Sequence, residues 1–159
     1  MIKLVRIDDR LLHGQVAVGW VSATNANVIF IANDAVKNDP IKAVAMDLAK
    51  PSNVTLYIRG MDEAGEITRK FADSRKSDVI VIVKDTKDAL ELIKTSGGVV
   101  KSLNVGGLRY AEGKRKLTDL VAVDDADVAN LKEIESMGVE VEFRLLPRDK
   151  KASLKDFKL

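Results

Sequence analysis

The chain has 159 residues, 46% of them hydrophobic and 31% charged, with a net charge of +2, a single histidine and no cysteine. These values describe one folded domain able to bury a core unaided, and they exclude a disulfide framework, thiol catalysis, thiolate metal sites and an intrinsically disordered chain. Aromatic residues make up only 4%, and Arg148 to Lys158 holds five basic and two acidic residues, which leaves the rest at about −1; a nucleic-acid surface, which needs clustered cations interleaved with rings, has no support.

In chain order, IKLVRI predicts a first strand, followed by the loop from Asp8 to His13. GQVAVGWVSATN fits both a strand and a helix by spacing, but the crossover to VIFIA (Val28 to Ala32) as a parallel neighbour requires a helix. Asp39 and Pro40 then form an N-cap and first turn ahead of Ile41, Val44, Ala45 and Leu48, and Pro51 ends that helix. VTLYI is the third strand, and Met61, Ala64, Ile67 and Phe71 mark the next helix.

VIVIV (Val79 to Val83) is apolar throughout, as a central parallel strand covered on both faces should be. Ala89, Leu90 and Ile93 predict a helix closed by Gly97 and Gly98; VVKSLNV and LVAV are two further strands. Asp124 caps a last helix through Val128, Leu131, Ile134 and Met137, closed by Gly138. VEVEF (Val139 to Phe143) alternates and is expected at an edge, with a basic tail from about residue 148. The expected fold is a single α/β domain: one open, twisted, mostly parallel sheet of about seven strands with helices on both faces. No apolar run approaches the ~18 residues of a membrane span and no signal-peptide core is present, so a soluble cytoplasmic protein is expected.

The histidine sits where such sheets bind ligands, on a loop leaving the carboxyl end of a strand. RIDDRLLHGQV (Arg6 to Val16) delivers His13 to the start of a helix at Gly14, beside unpaired backbone N–H groups and the positive end of the helix dipole. That field disfavours a second positive charge, so it favours the neutral, nucleophilic ring. Arg10 can offer a planar fork to phosphate, Gly14 allows close backbone approach, and the amides of Gly14 and Gln15 complete a cradle. Asp8 and Asp9 repel phosphate, so their workable role is to orient the imidazole nitrogen that does not react, or to hold Arg10. Asn33, Asp34, Lys84, Asp85, Thr86, Gly106 and Gly107 end other strands and are candidates to line the same crevice; their competing roles are caps, loops and, for the glycine pair, a tight turn with positive φ. Trp20 reads as core.

Other chemistries lack parts. GxSxG, GxGxxG and GxxxxGK[ST] do not occur, one histidine without cysteine is a poor zinc site, and no cofactor or metal is required by the residues present. A receiver-type phosphoaspartate domain would need a carboxylate after the third strand, where YIRG places Arg59.

RIDDRLLHGQV, Trp20, LNVGG (Leu103 to Gly107) and LTDLVAVDDAD together closely resemble the IIB component of the mannose/fructose/sorbose family of the bacterial sugar phosphotransferase system, along the full chain. Leu12 stands where that family often has isoleucine. The resemblance implies a phosphotransferase in which His13 takes a phosphoryl group on Nδ1 from phosphohistidine of a IIA partner. It implies that the group passes to a sugar held by the membrane proteins IIC and IID, with this chain as a stand-alone IIB protein. The alternative from another class is a regulatory domain that displays phosphohistidine without turnover. The identity of the sugar belongs to the membrane partners.

Overall fold

The computed structural model describes residues Met1–Leu159. Six helices and a main sheet of seven strands alternate along the chain, with strand order β3-β2-β4-β1-β5-β8-β9. The parallel strands are β1 (Ile2–Asp8), β2 (Val28–Ala32), β3 (Thr55–Arg59), β4 (Val79–Val83), β5 (Ser102–Gly107) and β8 (Glu140–Phe143). The open, mostly parallel α/β architecture read from the sequence is the one observed.

Period-2 geometry divides the strands between two cores. Val5, Ile7, Phe30, Val81, Val105 and Phe143 point to one face, covered by α4 (Met61–Asp73), α5 (Thr86–Thr95) and α6 (Asp125–Ser136). Leu4, Ile29, Ile31, Ile80 and Ile82 point to the other, where α1 (Gly14–Thr24) seats Ala17 and Trp20. The ambiguous GQVAVGWVSAT segment is thus the helix that the crossover demanded. As expected of a central strand, every residue of β4 is buried.

The right-hand part of the sheet departs from expectation in three ways. VEVEF is not an edge, because β9 (Ala152–Ser153) pairs antiparallel with it, and the polar position Glu142 is 5% exposed. Of its two glutamates, Glu140 does face water, whereas Glu142 is buried against polar partners. The basic segment after residue 148 is no free tail: Leu154 is buried, and Phe157 meets Phe143 edge-on at 5.0 Å between ring centroids. LVAV does not join the main sheet; β7 (Ala122–Val123) pairs with β6 (Arg115–Lys116) in a two-stranded ribbon, with Ala122 and Val123 buried.

Two helices also differ. Asn33 caps an unforeseen short helix, α2 (Asp34–Lys37), its side chain accepting from the Val36 amide at 2.9 Å. In α3 (Pro40–Ala49) the cap Asp39 and Pro40 stand where predicted, yet Ile41, Val44 and Leu48 face solvent while Ala43 and Met46 turn inward.

Candidate functional site

The connections fix where ligands can enter. From β1 the chain crosses to β2 on one side, whereas from β5 it crosses to β8 on the other, so the outgoing loops diverge and leave a crevice at the carboxyl ends of β1 and β5. A second divergence separates β2 from β4. The segment from Asp9 to His13 forms the wall between these two clefts.

The loop is held from beneath. Leu11 adopts φ 58°, a left-handed conformation uncommon for a branched side chain, and its amide donates to Asp8 O at 2.9 Å. Both Leu11 and Leu12 are buried in the α1-side core, which offsets that strain and leaves the next residue to emerge. His13 is the N-cap residue of α1, extended at φ −145°, with no side-chain capping bond and a ring 30% exposed. Gly14 follows at φ +34°. The first-turn amides, those of Gly14 and Gln15 among them, have no intrahelical acceptor.

The imidazole is anchored through one nitrogen. His13 Nε2 lies 3.1 Å from Asp8 Oδ2, while Asp8 Oδ1 accepts from the Arg10 amide at 3.1 Å. Asp8, at the end of β1, is 2% exposed and also takes a hydrogen bond from Arg6 Nη2 at 2.9 Å. Toward an ionised Asp8, an acceptor only, a neutral ring would donate from Nε2 and keep its lone pair on Nδ1. That is the polarity a nucleophilic Nδ1 requires.

Of the two candidate orienting acids, Asp8 alone contacts the ring. Asp9 works elsewhere: its Oδ2 accepts from the amide and Nε of Arg109 at 2.8 and 3.2 Å, tying the histidine loop to the exit of β5. The cleft between β1 and β5 has a volume of about 170 Å³, and its walls include Arg10, His13, Gly106, Gly107, Arg109 and Lys116. Arg10 is exposed, and its guanidinium makes no hydrogen bond or ion pair within the chain. The same walls carry the carboxylates of Asp8, Asp9 and Asp119, but Asp8 and Asp9 are engaged by Arg6, His13 and Arg109, so the unpaired Arg10 is the group left to meet an anion beside the ring.

The other candidates divide. Asn33 and Lys84 line the second cleft, about 480 Å³, together with Arg10 and Lys42. Thr86 lines neither: it is 1% exposed, donates to Asp127 Oδ1 at 2.6 Å and joins α5 to α6. Burial raises the Asp127 carboxyl, but the bonds from Thr86 and the Asp124 segment and the charge of Lys114 outweigh it and hold the group below the usual range. Asp85 caps α5 through the Asp88 amide, and Asp34 accepts from the Met61 amide at 2.8 Å. Gln15 is exposed and borders a groove with Leu146 and Pro147. Gly106 and Gly107 lie within β5 without positive φ, so the expected tight turn is absent. Trp20 is core, its indole N–H donating to Leu145 O at 2.9 Å.

Sequence reasoning passed over Arg6, Arg109 and Lys116. Arg6 carried a signal, a lone cation between Val5 and Ile7 in a central strand; the other two are brought in by the path after β5. No group of three or more His, Asp or Glu side chains is arranged to hold a metal ion, and no helix is long and apolar enough to cross a membrane.

An open parallel sheet with a histidine at the divergence of its connections defines a class of ligand-handling α/β proteins, and comparison with known proteins narrows it. Residues 2–159 match the family described as PTS system sorbose subfamily IIB component. The N-acetylgalactosamine-specific phosphotransferase enzyme IIB component 2 of Escherichia coli K12 is 35% identical, covering 99% of this chain and 98% of its own. The mannose-specific EIIAB component of the same strain is 32% identical over 98% of this chain and 48% of its own length. The crystal structure of the IIBSor domain of the sorbose permease from Klebsiella pneumoniae superposes with a TM-score of 0.89 at 30% identity, covering 98% of this chain and 94% of that one. The chain belongs to the sorbose-subfamily IIB components, phosphotransferases that act in sugar uptake.

Proposed function

We propose that His13 accepts a phosphoryl group on Nδ1 from the phosphohistidine of a IIA protein. It then passes the group to a hexose or amino-hexose held by membrane IIC and IID proteins, with this chain on the cytoplasmic side. The observation that carries this reading is the anchoring of Nε2 by Asp8, which leaves Nδ1 without a partner in the chain on a residue that lines the β1/β5 cleft. Phosphoryl transfer asks mainly for positioning and charge stabilisation, and both are available without nucleotide or metal. Arg10, unengaged within the chain, would clamp the transferring oxygens, with the Gly14 and Gln15 amides adding dipole contacts. The mannose relative whose name includes both A and B components is consistent with a IIA protein as donor.

The test is turnover. With phosphorylated IIA and membranes carrying IIC and IID, the wild-type chain is expected to form sugar phosphate, and His13→Ala to form none while remaining folded. Labelling without sugar phosphate would instead identify a regulatory phosphohistidine domain. Label that is stable to acid and lost to hydroxylamine would identify an acyl phosphate on a carboxylate.

A further inference from the structure

We propose that Arg6 is a positioning residue that fixes the neutral tautomer of His13 through the Asp8 carboxylate, and that glycine at position 106 is there to admit its guanidinium. The proposal deepens the reading of His13 as phosphoryl acceptor and rests on it for its functional meaning.

Arg6, Asn104 and Glu142 are directly paired across three adjacent strands, β1, β5 and β8, and all are at most 5% exposed. They form a polar row on the α1 side of the sheet, while the opposite face of the same strands presents Val5, Ile7, Leu103, Val105, Val141 and Phe143 to the larger core. Arg6 Nη1 donates to Asn104 Oδ1 at 2.6 Å and to Leu145 O at 3.2 Å; Asn104 Nδ2 donates to Glu142 Oε1 at 3.2 Å; Arg144 Nε donates to both Glu142 oxygens. A Cβ at Gly106 would fall on the Arg6 guanidinium. The close approach of strand to side chain therefore demands glycine where φ does not.

Stability alone gives no reason for this arrangement. Burial of the guanidinium is strong enough to push its pKa below the ordinary value despite Asp8 and Glu142 nearby, and apolar residues of similar volume often replace buried ion pairs without loss of stability. What the cation does is at the other end of Asp8. Oδ2 receives Arg6 Nη2 and His13 Nε2 together, and Oδ1 receives the Arg10 amide.

Without Arg6, the buried carboxylate would lose its one close cation, since Arg144 is committed to Glu142 and Arg109 to Asp9. Its ionised form would be disfavoured, and a proton taken from solvent would make Asp8 a donor. Nε2 would then have to accept, and the ring proton would move through solvent to Nδ1, removing the nucleophilic lone pair.

The single histidine makes the test direct. Ring ¹⁵N shifts of the full chain, followed against pH without any phosphoryl donor, report the tautomer of His13 alone. The wild type should hold the Nε2–H form once the ring is neutral. Arg6→Met should shift the ring toward Nδ1–H and slow labelling by phosphorylated IIA about tenfold or more, with Arg6→Lys restoring part of both. Should Arg6→Met fail to fold, Gly106→Ala displaces the guanidinium while keeping it in the chain, and is read in the same spectra. A folded variant of either kind that keeps Nε2–H and the wild-type labelling rate overturns the proposal. Because the tautomer is read without phosphate, a chain whose tautomer responds to Arg6 but which is never labelled would refute the acceptor role and leave the positioning intact.

Discussion

Asp8 Oδ2 sits 3.1 Å from His13 Nε2, five residues along the chain and across a loop that reverses direction through the left-handed Leu11. The contact ties Nε2 to the protein and leaves Nδ1 without a hydrogen-bond partner in the chain. A carboxylate that orients an imidazole need not touch the substrate to govern its chemistry. The sorbose-subfamily IIB fold supplies the rest: a strand end to hold Asp8, a helix start to present the ring, and a divergence of connections to leave room beside it.

Arg10 is the one guanidinium at the cleft with no partner in the chain. Arg10→Lys keeps its charge and loses the planar fork, so single-turnover transfer from phosphorylated IIA should slow by about tenfold to a hundredfold, the range for a charged hydrogen bond lost in the transition state. Thermal unfolding should be unchanged, because the side chain is exposed. An undiminished transfer rate would show that Arg10 does not clamp the phosphoryl group.

The segment after residue 148 is part of the fold. Leu154→Ala empties a buried site beneath β8 and should cost about 2–3 kcal/mol, a drop of about 5–10 °C in midpoint for a chain of this size. Labelling of the folded variant at 25 °C should match the wild type. A midpoint unchanged by the substitution would mean that β9 and the turn after it add nothing to the core.

Asp88, in the first turn of α5, has its carboxyl pushed up to about 6 by burial, with the charge of Asp85 adding to it and Lys84 opposing. The folded chain therefore binds this proton more tightly than the unfolded chain, whose value is near 3.8. The stability this confers is complete at low pH and is lost as pH rises through about 6. Asp88→Asn keeps the backbone amide that Asp85 caps. It should raise the midpoint relative to wild type at neutral pH and lose that advantage near pH 4. The same difference at both pH values would contradict the shift.

Much of this was legible in the sequence where local pattern and global fold agree. The uniform VIVIV, the Asp124 cap and the strand-end histidine each follow from a rule that tertiary contacts do not override. Alternation and charge in the sequence do not by themselves mean solvent. Glu142 looked like the wet face of an edge strand, but it is buried against Asn104 and Arg144. Lysines after residue 148 mask Leu154 and Phe157, which pack on the core while β9 pairs with β8. Ile41, Val44 and Leu48 keep helical spacing but point outward, because spacing fixes which residues share a face and not which way that face looks. The division between Asp8 and Asp9 could not be read at all, since adjacent strand-end residues face opposite ways and only the Arg109 contact shows where Asp9 goes.

Phosphorylation should place the phosphoryl group on Nδ1 of His13 while Nε2 remains tied to Asp8. Uniformly ¹⁵N-labelled chain, phosphorylated by phosphorylated IIA, should show phosphorus coupling on the Nδ1 resonance of its one histidine, with Nε2 still protonated. Phosphorus coupled to Nε2, or phosphate recovered on any other residue while the histidine resonances stay unchanged, would contradict it.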